Sequence, residues 1–192
     1  MGTESTDLLR RAVAELERLV DNTKPEQLER PTLCTEWQVR DLLNHLVGGA
    51  TMFAMSAEDG DVADDVVGQL LGTDQLGDDY KGAVGSSGQR ALAAFEQPGA
   101  LEKMVKLPFG TMPAGVAMNI AIFDVTTHCC DLAAATDQQV DDDELVDAAL
   151  AIGQQMIGPE MRSSGMFAEA QPDPEGGTGA ARLLAFAGRS VT

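Results

Sequence analysis

Leu8, Leu9, Ala12, Val13, Leu16, Leu19 and Val20 recur at helical spacing with Arg10, Arg11, Glu15, Glu17 and Arg18 between them, so residues 5–21 are expected to form an amphipathic helix. Asp21-Asn22-Thr23-Lys24-Pro25 stops it. After a connection through Pro31, the capping box Thr35-Glu36-Trp37-Gln38 predicts Thr35 as the cap of a second helix, which carries His45. Gly48-Gly49 inside that helix costs about 1 kcal/mol per glycine relative to alanine, so close packing or access to a pocket is the expected compensation. Residues 58–88 hold eight acidic side chains, many glycines and weak periodicity, which predicts a polar, partly mobile excursion without chemistry of its own. A short helix is expected over 89–97, with an N-terminal limit open to lying further back in the preceding stretch, ended by Pro98-Gly99 and followed by an extended or hairpin-like connection from Met104 to Pro113. A fourth helix then carries Asp124 and His128. Another amphipathic helix is expected from Asp141 through Ile157, then a Gly/Pro-rich tail to about Gly179, and a last turn or two at Leu183–Ala187 that docks onto the rest.

The composition supports an all-α reading. Of 192 residues 44% are hydrophobic but only 4% aromatic, so the core is built from Ala, Leu, Val and Met, which suits closely packed helices. The length fits a single domain spanning 1–192, and no internal repeat is visible. A formal charge of −18 repels phosphate backbones and anionic headgroups, so nucleic acid and membrane surfaces are excluded as partners. No run reaches the ~20 apolar residues needed to cross a bilayer, and the first residues lack a signal-peptide profile; a cytoplasmic location is expected. Three cysteines without a C-x-x-C spacing indicate neither a disulfide framework nor a zinc knuckle. Cys129 and Cys130 point about 100° apart on a helix and read as small apolar fillers.

The chemistry concentrates at Asp124 and His128. Projected at about 100° per residue, Ala117, Ala121, Val125, Leu132 and Ala135 fall within about 60° of His128, so two polar groups lie inside an apolar stripe. Buried polar groups need partners, and a carboxylate and imidazole one turn apart converge on a point where a divalent cation can offset the desolvation of both. His45, the one other histidine, lies at the border of an apolar helix face. Together the three supply a ligand set with open positions for water or substrate, which describes a reactive site better than a structural one. The plainer alternative is that Asp124 and His128 simply hydrogen-bond each other.

The stretches Thr32-Leu33-Cys34-Thr35-Glu36-Trp37-Gln38-Val39-Arg40-Asp41-Leu42-Leu43-Asn44-His45-Leu46-Val47-Gly48-Gly49, Leu107-Pro108-Phe109-Gly110-Thr111-Met112-Pro113 and 124–131 resemble the actinobacterial branch of the DinB-like superfamily. This branch includes mycothiol-dependent maleylpyruvate isomerases and related metal-binding proteins. Gly158-Pro159-Glu160-Met161-Arg162 and Arg182-Leu183-Leu184-Ala185-Phe186 extend the resemblance to most of the chain. It implies a four-helix bundle with a divalent metal on His45, Asp124 and His128. Members often carry Glu where this chain has Asp124, which draws the metal closer to the helix, and an aromatic where Cys130 stands. Asp131 matches an acidic family position; it lies about 60° from His128 and is expected to orient that ligand, with direct ligation as the alternative.

The resemblance implies a mycothiol-type transferase or isomerase that takes a small-molecule thiol and an electrophilic substrate, with a homodimer as a compatible assembly. A coordinated thiol is deprotonated outright, so the metal takes the place of a general base, and no separate catalytic residue is assigned. Arg40 and Asn44 are the candidates for cofactor binding, although Arg40 also suits a surface ion pair. Trp37 is expected to anchor the core. Zinc heads the metals that two imidazoles and a carboxylate suit, with Ni, Co, Mn and Fe also fitting. A non-catalytic metal- or ligand-binding module and a metal-activated hydrolase remain open readings.

Overall fold

The computed structural model describes residues 2–163 and 167–190, with side chains described from residue 5; residues 164–166 of the expected tail lie outside them. In chain order the helices are α1 (Gly2–Asn22), α2 (Val39–Asp59), α3 (Asp64–Gly72), α4 (Tyr80–Phe95), α5 (Ala114–Thr136), α6 (Asp143–Met156), α7 (Pro159–Ser163) and α8 (Gly179–Phe186). The strands β1 (Met104–Leu107) and β2 (Gly110–Pro113) pair antiparallel, Val105 opposite Met112, in the hairpin expected ahead of α5. Helices α1 and α2 each pack against both α4 and α5, which closes the four into a bundle. Among the described residues no helix is long and apolar enough to cross a membrane.

Helix α5 is the axis of the molecule. It touches α1, α2, α6 and α8, so it is apolar around most of its circumference, with Ala117, Met118, Ile122, Cys129 and Leu132 at 1% exposure or less. Any polar group it carries is thereby placed in a poorly solvated environment. A second apolar cluster, built on Phe123, Val146, Ala149, Leu150, Leu183 and Leu184, fastens α6 and α8 to the outside of the bundle. Cys129 and Cys130 are buried as expected; burial pushes both thiols up, Cys130 to about 12, so neither ionises at neutral pH.

Three local expectations are corrected. Helix α2 starts at Val39 behind the cap Gln38, whose backbone N–H donates to Asp41 Oδ2 at 2.9 Å; Thr35 does not cap it. Glu36 stands at φ +72°, in the left-handed region that no helical turn tolerates, and Trp37 N–H closes a turn onto Cys34 O at 3.0 Å. Residues 58–88, expected as a polar excursion of weak periodicity, contain all of α3 and the first half of α4. Val66, Val67, Leu70 and Leu71 repeat at helical spacing behind the acidic first turn Asp64-Asp65. The helix expected over 89–97 is the end of α4, whose earlier turns are rich in glycine and serine. Those small residues are poor helix formers but allow close approach: a Cβ on Gly88 would stand 3.1 Å from Val13 Cγ1 of α1.

Candidate metal centre and adjoining cavity

Asp124 and His128 project from successive turns of α5, and His45 reaches them from the second turn of α2. His45 Nε2 and His128 Nε2 both lie 3.5 Å from the same oxygen, Asp124 Oδ1. That separation is long for a hydrogen bond. It matches the edge of a tetrahedron with metal bonds of about 2.0–2.1 Å, roughly 3.4 Å. One donor atom from each of the three residues lies within 4.8 Å of the others, so the set fits a single cation.

Electrostatics favour positive charge at the same point. Burial alone would raise the Asp124 carboxyl, but the charge of His128 and the closeness of both imidazoles hold it well below the usual range. Burial would lower His128, yet the Asp124 charge and the contacts of the ring with Asp131 and Cys34 raise it well above an ordinary histidine. A carboxylate field strong enough to favour a proton on this imidazole favours a divalent cation in the same place.

Behind His128 stands a network that sequence reasoning caught only in part. Asp131, fully buried, meets His128 Nδ1 at 2.9 Å through Oδ2, which leaves Nε2 turned toward Asp124. Arg189 donates from Nε to Asp131 Oδ1 at 3.2 Å and from Nη2 to Oδ2 at 2.8 Å. The Cys34 thiol donates to Asp131 Oδ2 at 3.2 Å, and Arg189 Nη2 donates to Cys34 Sγ at 3.2 Å. Burial would raise Asp131, but His128 and Arg189 hold it low, so it remains a carboxylate. The orienting place of Asp131 was legible from its position on the helix. Arg189 carried no spacing signal; the need of a buried carboxylate for a cation was readable, but not which of the 13 basic residues answers it.

Arg40 and Asn44 stand elsewhere. Arg40 Nη2 pairs with Asp74 at 3.0 Å and donates to Gly77 O at 3.1 Å. Asn44 donates to Thr73 O at 3.0 Å and accepts from Gln75 N–H at 2.6 Å. Both staple the segment after α3 to α2, and neither lines the cavity beside the metal centre. Trp37 is half-buried and lies over the imidazoles, its ring centroid 4.9 Å from that of His45 and 5.9 Å from that of His128, so it forms a wall of the site as well as part of the packing.

The three converging side chains line a cavity of about 840 Å³. Met52 of α2, Leu71 of α3, Phe109 and Met112 of the hairpin and Ile120 of α5 form its walls. Gly49 faces this space with nothing within 4 Å of where a Cβ would stand, whereas a Cβ on Gly48 would meet Leu70 O at 2.3 Å. The glycine pair therefore serves both expected purposes, one residue each.

Residues 9–133 match the family model described as the mycothiol maleylpyruvate isomerase N-terminal domain, a span that holds Trp37, His45, Asp124, His128 and Asp131 but not Arg189. Uncharacterised proteins from two strains of Mycobacterium tuberculosis are each 34% identical over 175 residues, covering 90% of this chain and 91% of the relative. The fold is similar to the crystal structure of a mycothiol-dependent maleylpyruvate isomerase, with a TM-score of 0.62 at 17% identity over 79% of this chain and 68% of that one. It is also similar to a histidine-to-alanine mutant of such an isomerase, with a TM-score of 0.68 at 16% identity over 86% and 72% of the two chains. With more than half of its length matched by the family model, the chain belongs to the mycothiol maleylpyruvate isomerase N-terminal domain family, in keeping with its resemblance to the DinB-like superfamily.

Proposed function

We propose that His45, Asp124 and His128 hold a divalent metal and that the protein is a thiol-dependent isomerase or transferase, working with a low-molecular-weight thiol of the mycothiol type. The observation that carries this reading is the convergence of two imidazole Nε2 atoms on one Asp124 oxygen, 3.5 Å from each, on the lining of a cavity large enough for substrate. The family supports the thiol. Zinc is the metal we name first, on its general frequency in such sites, and the same two imidazoles and carboxylate also suit Ni, Co, Mn and Fe. The chemistry such a metal supplies is the ionisation of a coordinated thiol at neutral pH.

This chain's own residues do the rest. Asp131 holds the Nδ1 proton of His128 and so keeps its Nε2 lone pair aimed into the site. Trp37 covers the imidazoles on one side, and largely apolar walls surround the place of a reacting sulfur. Among the described residues lining the cavity, no carboxylate or imidazole is left over once the three ligands are assigned. That suits a thiol made reactive without a separate base, and it leaves a metal-activated hydrolase without a proton-transfer partner.

The test is elemental analysis of untagged protein beside His45→Ala and His128→Ala. Near-stoichiometric metal in the wild type, lost in both variants together with thiol-transfer activity, is the expected result. Wild-type protein that stays metal-free after reconstitution with zinc, nickel and manganese would sink the reading and leave the three side chains as a hydrogen-bonded cluster.

A further inference from the structure

Away from the metal corner the cavity offers little but hydrocarbon. Apart from the two imidazoles, Arg189 is the one basic side chain on its described lining. That guanidinium is already committed, with Nε and Nη2 on Asp131 and Nη1 donating to Ala187 O at 2.9 Å. Beyond the reach of the metal corner, a charged group on the body of a ligand would shed its hydration without a free counter-charge to replace it. A second observation concerns the mouth. Among the described residues the exposed large apolar side chains are Leu71, Met104, Phe109 and Val116, and all but Met104 stand on this cavity. Apolar surface gathered around one opening marks a place that a ligand covers.

We propose that the acceptor taken by this site is an uncharged, elongated apolar electrophile, of the class of medium-chain α,β-unsaturated aldehydes and ketones, with its carbonyl end at the His45–Asp124–His128 corner and its hydrocarbon body along the Met52, Ile120 and Phe109 walls. The inference rests on the thiol-dependent reading above. In the reaction the sulfur electron pair forms a C–S bond at the β-carbon, and the C=C π pair shifts to give an enolate. The α-carbon then takes a proton from water. The thiol's own proton leaves to solvent on ionisation, so the sum is addition of the thiol across the double bond, with no oxidant and no leaving group.

Trp37 is the only tryptophan and lies on the lining, so its fluorescence reports occupancy. Zinc-loaded full-length protein is titrated with the unreactive ketones 2-hexanone, 2-octanone and 2-decanone, and with fumarate as a dianionic probe. The expected result is a dissociation constant that tightens roughly tenfold for each two added methylenes, with fumarate weaker than 2-decanone. Val116→Asp, at a rim position already 42% exposed and therefore tolerant of a polar residue, is expected to weaken 2-decanone binding more than tenfold while leaving metal content and helicity unchanged. Ketone affinities indifferent to chain length, or fumarate bound more tightly than 2-decanone, overturn the proposal. Mycothiol consumption with trans-2-decenal separates the two readings. Ketones that tighten with length while no thiol is consumed keep the apolar occupant and remove the transferase; thiol consumed with fumarate but not with trans-2-decenal does the reverse.

Discussion

His128 is held from two sides, by Asp124 at Nε2 and by Asp131 at Nδ1, and the second contact sets which nitrogen faces the cavity. Asp131→Asn keeps the shape of that partner but removes its charge, and zinc affinity is expected to fall about 10–100-fold, measured by competition with a chromophoric chelator. An unchanged affinity would mean that Asp131 does no more than fill space. Glu15 makes a separate point about buried carboxylates. It is 7% exposed, accepts from Arg18 at 2.7 and 3.0 Å, and accepts from the Asp141 N–H at 2.9 Å, tying α1 to the segment ahead of α6. Burial pushes its carboxyl up, but these donors outweigh burial and hold it below the usual value. A depressed folded-state pKa contributes stability that is present above the unfolded value of about 4.3 and is lost as pH falls through the folded value. Glu15→Gln is therefore expected to cost about 1–3 kcal/mol at pH 7 in urea unfolding, with the gap to wild type closing in acid. A gap that widens in acid would reverse the assignment.

At the scale of elements, the glycine pair of α2 separates two forces that act on adjacent residues. An alanine methyl at position 48 would push on the backbone of α3 at Leu70, whereas one at position 49 would project into open cavity. Gly48→Ala is expected to destabilise by about 1–3 kcal/mol through overpacking. Gly49→Ala is expected to stabilise by up to about 1 kcal/mol through helix propensity. Thermal unfolding of both variants decides the matter, and equal effects in both would contradict the packing described. Helices α1 and α6 announce themselves through apolar periodicity, and α5 through a long, largely apolar run. The first half of α4 does not, because Gly82, Gly85 and Gly88 cost helix propensity that only packing against the neighbouring helix restores, and the apolar repeat of α3 is confined to nine residues. The Thr35 capping box failed for a related reason. The 30–39 segment is held as a closed loop, with Thr32 N–H on Trp37 O at 2.9 Å and Val39 N–H on Arg30 O at 2.9 Å, and those bonds override a local capping preference.

At the scale of the molecule, the candidate site joins chain positions that are far apart. Cys34 precedes α2, Asp131 lies late in α5, and Arg189 follows α8, yet their polar atoms meet within 3.2 Å. Helix α8 also buries Leu183 and Leu184 in the outer apolar cluster. Ending the chain before Gly179 is expected to cost roughly 3–5 kcal/mol of stability from lost leucine burial. It is also expected to weaken zinc binding, although all three proposed ligands remain, because Asp131 loses the cation that keeps it in place. Calorimetry and chelator competition on the shortened chain measure the two effects separately. Full metal affinity in a destabilised protein would show that Arg189 matters to folding alone.

The sequence by itself determined the helical class, most of the helices, the hairpin ahead of α5, and the positions of Asp124, His128 and Asp131 on one helix, because spacing along a helix is a local property. It also placed His45 near an apolar border and marked the glycine pair as a position of close packing or cavity access. Only the tertiary structure decided that His45 meets Asp124, that Arg189 and Cys34 stand behind His128, and that Arg40 and Asn44 turn away to hold the residues after α3. Those outcomes depend on how the bundle closes and on which distant cation reaches a buried carboxylate, and no periodicity along the chain carries that information.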